Sequence, residues 1–311
     1  MGASRTFDAL GTQIEIDLSD DAESLLDDVE QRIRDLEALW SRFVPDSELS
    51  LLNAAGGQPV SVSPVTRQVL QLAMDAHDLT GGIFDPRVLG ALEAAGYRES
   101  RATLKLDQCP ATTGEVAQAQ ADGLRLPLAV EFDDCRSSAA LPFGDRWDLG
   151  GIGKGFAADL VVDEFASARV PSLMVNLGGD IRVFGDAPGA PCWTVRVDDP
   201  FVAGCPMAEV HLTAGGVATS SRMKRRWIHD GLPRHHVIDP RTGQPAVTDL
   251  VAVTVVAGTT WWAEVLAKAA LILGPTEGCR LIEEFGCSGL LVDIDSTPTV
   301  IGDHVRIGVA T

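Results

Sequence analysis

A lysine inside a glycine-rich turn is the first feature of this sequence that has the make-up of a ligand site. Residues 147–159 read Trp-Asp-Leu-Gly-Gly-Ile-Gly-Lys-Gly-Phe-Ala-Ala-Asp, so glycines flank Lys154 on both sides. Glycines let backbone N–H groups approach an anion, and the N-terminus of a following helix adds partial positive charge. The turn therefore predicts phosphate binding by Lys154 and by the amides of Gly151 to Gly155, with Gly151 and Gly153 as the main contacts. It matches neither the dinucleotide pattern nor the P-loop, and tight packing alone also explains such a turn.

Three further segments combine glycine with acidic, hydroxyl or imidazole side chains. They are Asn-Leu-Gly-Gly-Asp at 176–180, Ala-Thr-Ser-Ser at 218–221 and His-His-Val-Ile-Asp-Pro-Arg-Thr-Gly at 235–243. In the last of them, His236 stands three residues before Asp239. A histidine, with an ordinary pKa near ~6.5, can accept a proton from an alcohol at neutral pH. The segment thus predicts a general base at His236, with a structural histidine as the alternative.

The order and spacing of these four segments resemble the FAD:protein FMN transferase family, also called ApbE-type flavin transferases. The family patterns are approximately D-L-G-[GA]-[IA]-[AG]-K-G-[YF]-[AV]-[AV]-D, N-[LI]-G-G-D, A-[TS]-S-G and H-I-[IL]-D-P-[RK]-T-G. Segments 7–12, 41–53 and 84–86 extend the resemblance toward the N-terminus, where the family has A-M-G-T, S-x-[FY]-x-P-x-S-[ED]-[LI]-x-x-[LI]-N and G-x-F-D-[PI]. Ser221 stands where the family has glycine, so the approach of that loop to a ligand is in doubt.

The resemblance implies a transferase that moves the FMN part of FAD onto a serine or threonine hydroxyl of an acceptor flavoprotein. The product is a phosphoester, AMP is released, and the family's acceptor motif is roughly D-x-x-[ST]-G-A-[ST]. Two other functions stay open on the residues alone. One is an FAD-binding or storage protein with lost or weak transferase activity, and the other is an FAD pyrophosphatase that gives FMN and AMP.

The resemblance also assigns roles to individual residues. The predicted catalytic residues are His236 and Asp239. A hairpin turn is the alternative for the glycines of 178–179, and an exposed salt bridge is the alternative for Arg241. The predicted contacts to FAD are Ser47, Asp85, Asp148, Gly151, Gly153, Lys154, Asn176, Gly178, Gly179, Asp180, Thr219, Ser220, His236, Arg241 and Thr242.

Magnesium is implied by the resemblance, but here the sequence departs from the family. Relatives bind the ion through a backbone carbonyl of the glycine and lysine turn, placed here at Gly153, and through the Asp and Thr of a helix motif A-D-A-[LW]-[AS]-T-A. The matching residues 263–269 read Ala-Glu-Val-Leu-Ala-Lys-Ala, so Glu264 replaces the aspartate and Lys268 the threonine. An ammonium group cannot ligate a cation. Lys268 therefore either takes the place of the ion beside the diphosphate or forms an ordinary i,i+4 pair with Glu264.

The composition sets limits on partners and location. A chain of 311 residues with 45% hydrophobic residues can bury a sizeable core, and its formal net charge of −19 argues against nucleic acid and anionic membranes as partners. No run approaches the ~20 apolar residues of a membrane span. The first eight residues lack the apolar core of a secretion signal and a lipid-anchor cysteine, so a cytoplasmic protein is expected.

Cysteine usage and one basic cluster complete the candidate residues. The cysteines have no C-x-x-C pair, which favours reduced thiols over a zinc site or a disulfide framework. They are Cys109, Cys135, Cys192, Cys205, Cys279 and Cys287. The basic cluster is either a solvated surface or a contact for an acidic acceptor, and consists of Arg222, Lys224, Arg225 and Arg226.

The hydrophobic pattern predicts a single α+β domain over 1–311, with antiparallel sheets flanked by helices. Ser63 and Pro64 predict a helix start, Gly81 and Gly82 its end, and 110–126 either a variable loop or an exposed helix. The other predicted helices are 20–43, 153–168, 261–273 and 276–285. The predicted strands are 12–17, 172–177, 181–185, 193–198, 208–213, 216–220, 235–239, 250–257, 289–293, 298–301 and 305–309.

Overall fold

The structure is a computed structural model that describes residues 2–99, 127–166 and 170–307. These residues cluster into two compact units. The first takes its residues from Met1–Arg34, Lys154–Met223 and Thr248–Thr311, and the second from Asp35–Gly153 and Lys224–Val247. The expectation of a single domain over 1–311 stays a prediction. Cys109, the segment 110–126 and the predicted ends of helix 153–168 and strand 305–309 lie outside the described residues.

An eight-stranded sheet, antiparallel throughout, is the centre of the first unit. Elements are numbered along the chain. In spatial order its strands are β1 (Ala3–Ala9), β2 (Thr12–Leu18), β6 (Leu173–Leu177), β7 (Asp180–Phe184), β10 (Ala214–Ser221), β15 (Leu250–Ala257), β16 (Ser288–Asp293) and β17 (Pro298–Ile301). The helices that this unit contains wholly or in part are a 3-10 helix (Asp20–Leu25), α1 (Leu26–Trp40), α5 (Gly153–Ala166), α6 (Thr260–Leu273) and α7 (Pro275–Glu284).

The core of this unit lies on both sides of β15, whose residues 250–256 are all buried. A strand that is buried on both faces must have other elements packed against each face of the sheet. Helix α6 packs on β10 and β15. A second sheet, of β8 (Trp193–Asp198), β9 (Pro206–Leu212) and β18 (Val305–Ile307), shares a hydrophobic cluster with β7, β10, β15 and β16.

The second unit is built mostly of short helices and strands. A hydrophobic cluster joins Leu92, Ala95 and Tyr97 to Trp227 and Ile238. Its helices are α2 (Glu48–Ala54), α3 (Pro64–Leu79), a 3-10 helix (Pro86–Val88) and α4 (Leu89–Ala94). Its strands are β3 (Val60–Ser61), β4 (Glu131–Asp133), β5 (Ser138–Ala140), β11 (Arg226–His229), β12 (Leu232–His235), β13 (Ile238–Asp239) and β14 (Gln244–Pro245).

The predicted α+β class with antiparallel sheets is confirmed, and one predicted strand is wrong. The expected strand 235–239 is interrupted, because β12 ends at His235, His236 lies in a bend and β13 begins at Ile238. Strand alternation therefore does not decide where His235 and His236 point. The helix start at Ser63 is confirmed, since its hydroxyl accepts the N–H of Thr66 at 3.3 Å.

The N-terminus of α6 is capped by a carboxylate from another helix. Thr259 precedes α6 without a side-chain cap, and Asp159 of α5 accepts the N–H groups of Thr260 at 2.8 Å and Trp261 at 2.9 Å. Burial raises the pKa of Asp159 to about 6, against the opposing effects of these two amides and of Arg182. The fold therefore holds a carboxylate at the positive end of a helix at the cost of desolvating it.

The raised pKa of Asp159 predicts a pH effect on stability. The folded protein binds a proton here more tightly than the unfolded chain, so stability rises as pH falls from 7 to 5, by about 1 kcal/mol for this group. Asp159→Asn removes that titration. The difference in free energy of unfolding between wild type and variant should be about 1 kcal/mol larger at pH 5 than at pH 7. Parallel urea curves at the two pH values measure it, and an unchanged difference would contradict the assignment.

Candidate functional site

The ammonium group of Lys154 lies between two buried carboxylates of the first unit. It donates to Asp180 Oδ2 and, at 2.9 Å, to Glu264 Oε1. The Lys154 side chain is 15% exposed, against 6% for Asp180 and 4% for Glu264. The start of α5, the start of β7 and the second turn of α6 thus bring together three residues that are distant in the chain. Two of them, Lys154 and Asp180, come from the glycine-rich segments identified in the sequence.

Both oxygens of the Glu264 carboxylate have a donor. Lys154 holds Oε1, and the backbone N–H of Gly155 donates to Oε2 at 2.8 Å. Burial first, and then the charge of Asp180, raise the pKa of Glu264, while the charges of Lys154 and Lys268 act in the opposite direction. Lys268 is therefore close enough to Glu264 to act on its charge, as the i,i+4 spacing on α6 predicts.

Gly155 allows the first turns of α5 and α6 to touch. A Cβ at this position would lie 2.6 Å from Trp261 Cα and 2.7 Å from Thr260 O, both of which are backbone atoms. A side chain here would force the two helices apart and move Glu264 away from Lys154. The glycine after the motif lysine thus serves packing, which in turn positions the charged cluster.

Gly155→Ala should lower the free energy of unfolding by about 1–3 kcal/mol, because it overpacks a backbone contact. Gly90→Ala is the matched control, since Gly90 lies within α4 and a Cβ there meets no atom within 4 Å. The control is expected to be neutral or up to about 1 kcal/mol more stable. Denaturant unfolding of both variants tests this, and wild-type stability of the Gly155 variant would refute the packing role.

The turn before Lys154 uses several of its amides internally, and phosphate binding by this turn stays a prediction. The N–H groups of Ile152 and Gly153 donate to Leu149 O at 3.1 and 2.7 Å, and that of Gly150 donates to Asp148 Oδ1 at 2.8 Å. With the Gly155 amide bound to Glu264, these donors are not presented together to an anion. The sequence cannot show this outcome, because the acceptors that claim the amides become neighbours only in the fold.

Asp148 holds this turn in the second unit. Its Oδ2 pairs with Arg42 Nε at 2.7 Å, and Arg42 also donates to Tyr97 O at 2.9 Å. The guanidinium group lies over the rings of Phe43 and Tyr97, 4.1 and 4.7 Å from their centroids. These contacts give Asp148 a positioning role, and its predicted contact with FAD stays a prediction. Sequence reasoning did not single out Arg42, although it lies within the matched segment 41–53.

The segment 176–180 forms a turn that requires glycine. Gly178 and Gly179 have φ of +74° and +106°, and Asn176 Oδ1 accepts the N–H of Gly179 at 2.9 Å. A Cβ on Gly178 would collide with the side chain of Thr12. The turn thus orients Asp180, the first residue of β7, toward Lys154. Direct contacts of Asn176 and the two glycines with FAD stay predictions.

The hydroxyl groups of 219–221 lie at the end of β10. Thr219 Oγ1 and Thr254 Oγ1 are 2.9 Å apart, and Ser220 is 9% exposed. Ser221 is buried, and its hydroxyl donates to Val251 O at 3.2 Å and accepts the N–H of Met223 at 3.1 Å. The serine in place of the family glycine is thus held inside the protein. The roles of Thr219 and Ser220 in ligand binding stay predictions.

The turn after His236 is held by an aspartate and arginine clasp. Arg241 donates its backbone N–H at 2.8 Å and its Nε at 2.9 Å to Asp239 Oδ1, and its Nη2 at 2.8 Å to Oδ2. The hydroxyl of Thr242 donates to Asp239 O at 3.3 Å. Asp239, predicted as catalytic, therefore shapes the turn that begins just after His236.

A second Asp-Pro-Arg turn in the same unit has the same geometry. Arg87 donates its backbone N–H at 2.9 Å and its Nε at 3.0 Å to Asp85 Oδ1, and its Nη2 at 2.8 Å to Oδ2. His77 Nε2 lies 3.8 Å from Asp85 Oδ2. The two clasps could have been found in the sequence as a repeated Asp-Pro-Arg tripeptide at 85–87 and 239–241.

Ser47 is the predicted FAD contact that the geometry supports least. It is fully buried, its hydroxyl donates to Ser41 O at 2.8 Å, and it accepts the N–H of Ser50 at 3.0 Å. This serine of the matched segment 41–53 is thus the N-cap of α2. A cap and a ligand contact use the same residue types, so the sequence does not separate them.

The residues predicted to hold magnesium do not fit that ion. Within 2–99, 127–166 and 170–307, no group of three or more His, Cys, Asp or Glu side chains is placed to bind a metal. Glu264 is engaged by the Lys154 ammonium and an amide, and Lys268 places a second positive charge beside it. The charges around Glu264 thus do not fit a metal role for that residue, and the metal role of Gly153 stays a prediction.

The basic cluster 222–226 does not form one solvated surface. Arg222 is 6% exposed, whereas Lys224 is exposed and Arg225 and Arg226 are half-buried. Contact with an acidic acceptor stays a prediction for the last three. No helix in the described part of the chain is both long and apolar enough to span a bilayer.

Three comparisons with known proteins agree. The model of the ApbE family matches residues 10–291. An FAD:protein FMN transferase of Treponema pallidum (strain Nichols) is 30% identical over 296 residues, which cover 91% of this chain and 81% of the relative. A protein of the same name from Rhodobacter capsulatus is 29% identical over 297 residues, with 93% of this chain but 54% of the relative covered. The crystal structure of the ApbE protein from Thermotoga maritima matches with a TM-score of 0.82 at 25% identity, over 96% of this chain and 97% of that one.

Proposed function

The chain belongs to the ApbE family, and from that membership we propose that it is an FAD:protein FMN transferase. The observation that carries the proposal is the match of the family model over residues 10–291, which contains the charged cluster of Lys154 and the turn of His236. The agreement of the fold with the Thermotoga maritima structure supports it.

The proposed reaction is a phosphoryl-group transfer to an alcohol. A serine or threonine hydroxyl of the acceptor, in a motif like D-x-x-[ST]-G-A-[ST], attacks the phosphorus on the flavin side of FAD. A bond from oxygen to that phosphorus forms, the bond to the bridging oxygen breaks, and AMP leaves with the bridging oxygen. The hydroxyl proton passes to a base. The enzyme must therefore hold two phosphates, offset their charge and accept one proton.

Lys154 is assigned to the phosphates. Its ammonium is a compact point charge whose position is fixed by Asp180 and Glu264. We assign this fixed positive charge to the phosphate oxygens of FAD.

His236 is assigned to the proton. It follows β12 directly and is half-buried, and Asp239 and Arg241 lock the turn that comes after it. Since the Asp239 carboxylate is engaged by Arg241, we assign Asp239 to positioning the turn rather than to proton transfer. Asp85, Asp148 and Thr242 are assigned to shaping three turns, those at 85–87, 148–153 and 239–243 respectively.

The deciding experiment follows both products. The purified protein is incubated with FAD and an acceptor domain that carries the motif, and AMP and covalently bound flavin are quantified by chromatography. Equal amounts of AMP and labelled acceptor are the result expected for the transferase. AMP with free FMN would indicate the pyrophosphatase, and intact bound FAD would indicate the binding or storage protein.

A further inference from the structure

Lysine is scarce in this chain, and its placement is not even. The sequence has four lysines against 21 arginines, at positions 105, 154, 224 and 268. Of the three that the structure describes, Lys154 and Lys268 both act on one carboxylate, that of Glu264. Elsewhere the ion pairs of the described residues use mostly arginine, whose planar fork suits paired hydrogen bonds. A lysine instead supplies a compact charge, which is the property that it shares with a metal ion.

The surroundings of Lys268 keep its charge near this cluster. Nearly all of α6 is buried, and Lys268 is itself half-buried between the buried residues Ala267 and Ala269. It stands one turn after Glu264, on the same side of the helix. The cluster of Lys154, Lys268, Asp180 and Glu264 contains two positive and two negative groups, so its formal charges cancel. A divalent cation added to it would be repelled by two ammonium groups.

We propose that Lys268 supplies the positive charge that the family resemblance assigns to magnesium, so that this chain binds the diphosphate of FAD without a metal. The proposal rests on the proposed function for the identity of the ligand. What it adds to the proposed function is that diphosphate binding does not depend on a metal. Glu264 then holds lysine charges in place rather than a metal ion.

The test measures FAD affinity and magnesium response together. FAD binding is titrated by flavin fluorescence in EDTA and in millimolar Mg²⁺, for wild type, Lys268→Thr and the double variant Glu264→Asp, Lys268→Thr. Wild-type affinity is expected to be the same in both conditions within about twofold, and Mg²⁺ alone should not raise the melting temperature. The FAD affinity of Lys268→Thr in EDTA should be about tenfold or more below that of wild type, which corresponds to about 1.4 kcal/mol of binding free energy.

The double variant restores the two side chains of the family motif. It should regain affinity in Mg²⁺ but not in EDTA, and Mg²⁺ alone should now raise its melting temperature. Lys224→Thr is the control for loss of one positive charge from an exposed position. It is expected to bind FAD like wild type in both conditions.

Three results would overturn the inference. They are wild-type FAD binding that is lost in EDTA, Lys268→Thr with full affinity in EDTA, and no FAD binding under any condition. The assay separates this inference from the proposed function. Metal-independent FAD binding without transfer to an acceptor would leave the inference intact and refute the function, whereas transfer that depends on Mg²⁺ would do the reverse.

Discussion

His236→Ala is expected to slow FMN transfer by about 10²–10⁴-fold while FAD binding stays within about twofold of wild type. This range is what a positioned general base contributes. The variant removes the imidazole at the position of the histidine in the family pattern H-x-x-D-P-R-T-G. It leaves the hydrogen bonds between Asp239 and Arg241 in place. Single-turnover transfer measures the rate, and a flavin fluorescence titration measures the affinity.

His235→Ala is the matched control for that variant. His235 is the adjacent histidine and is half-buried like His236. Its Nε2 lies 3.2 Å from the backbone oxygen of Ala246, the residue that follows β14. Its replacement should cost some stability and leave the rate within about threefold of wild type. Full transfer activity in His236→Ala, or an equal loss in both variants, would rule out His236 as the base.

Lys154→Met is expected to abolish detectable transfer and to destabilise the protein by about 3–5 kcal/mol. The stability loss arises because Asp180 and Glu264 keep their buried negative charges without the ammonium between them. The deficit should shrink as pH falls, since Glu264, whose pKa burial already raises, then takes up a proton. Urea unfolding at pH 5 and pH 7.5 measures both effects.

Neutralising the partners separates the two roles of Lys154. The triple variant Lys154→Met, Asp180→Asn, Glu264→Gln carries no charge at these positions, so most of the lost stability should return. Transfer should stay absent, because no ammonium meets the phosphates. Recovery of transfer together with stability would show that Lys154 is needed only for folding.

Local signals in the sequence predicted much of the fold. The alternation of 12–17, the apolar run 250–257 and the Ser63-Pro64 start each depend on neighbours in the chain, and each was found close to its predicted bounds. The prediction of a strand at 235–239 was wrong because a bend at His236 interrupts an otherwise suitable pattern. The charge of Lys268 near Glu264 was also foreseeable from i,i+4 spacing.

The parts of the site that the sequence did not predict all depend on contacts between distant segments. The pairing of Lys154 with Glu264 joins residues 110 positions apart. The internal use of two amides depends on Leu149 O and on Glu264, which accept the N–H groups of Gly153 and Gly155. The capping of α6 by Asp159 joins two helices. Residue type shows that a group can bind an anion, but only the fold shows which partner has already taken it.

The two carboxylates that hold Lys154 also decide when its side chain loses its conformational freedom. A free lysine side chain has many rotamers, and fixing it on ligand binding costs about 0.5–1.5 kcal/mol. Here Asp180 and Glu264 fix it during folding, so in the proposed reaction FAD would meet a cation that is already immobile. The same carboxylates compete with the phosphates for that cation. For the proposed transferase, we expect this competition to weaken the binding of both FAD and the AMP product.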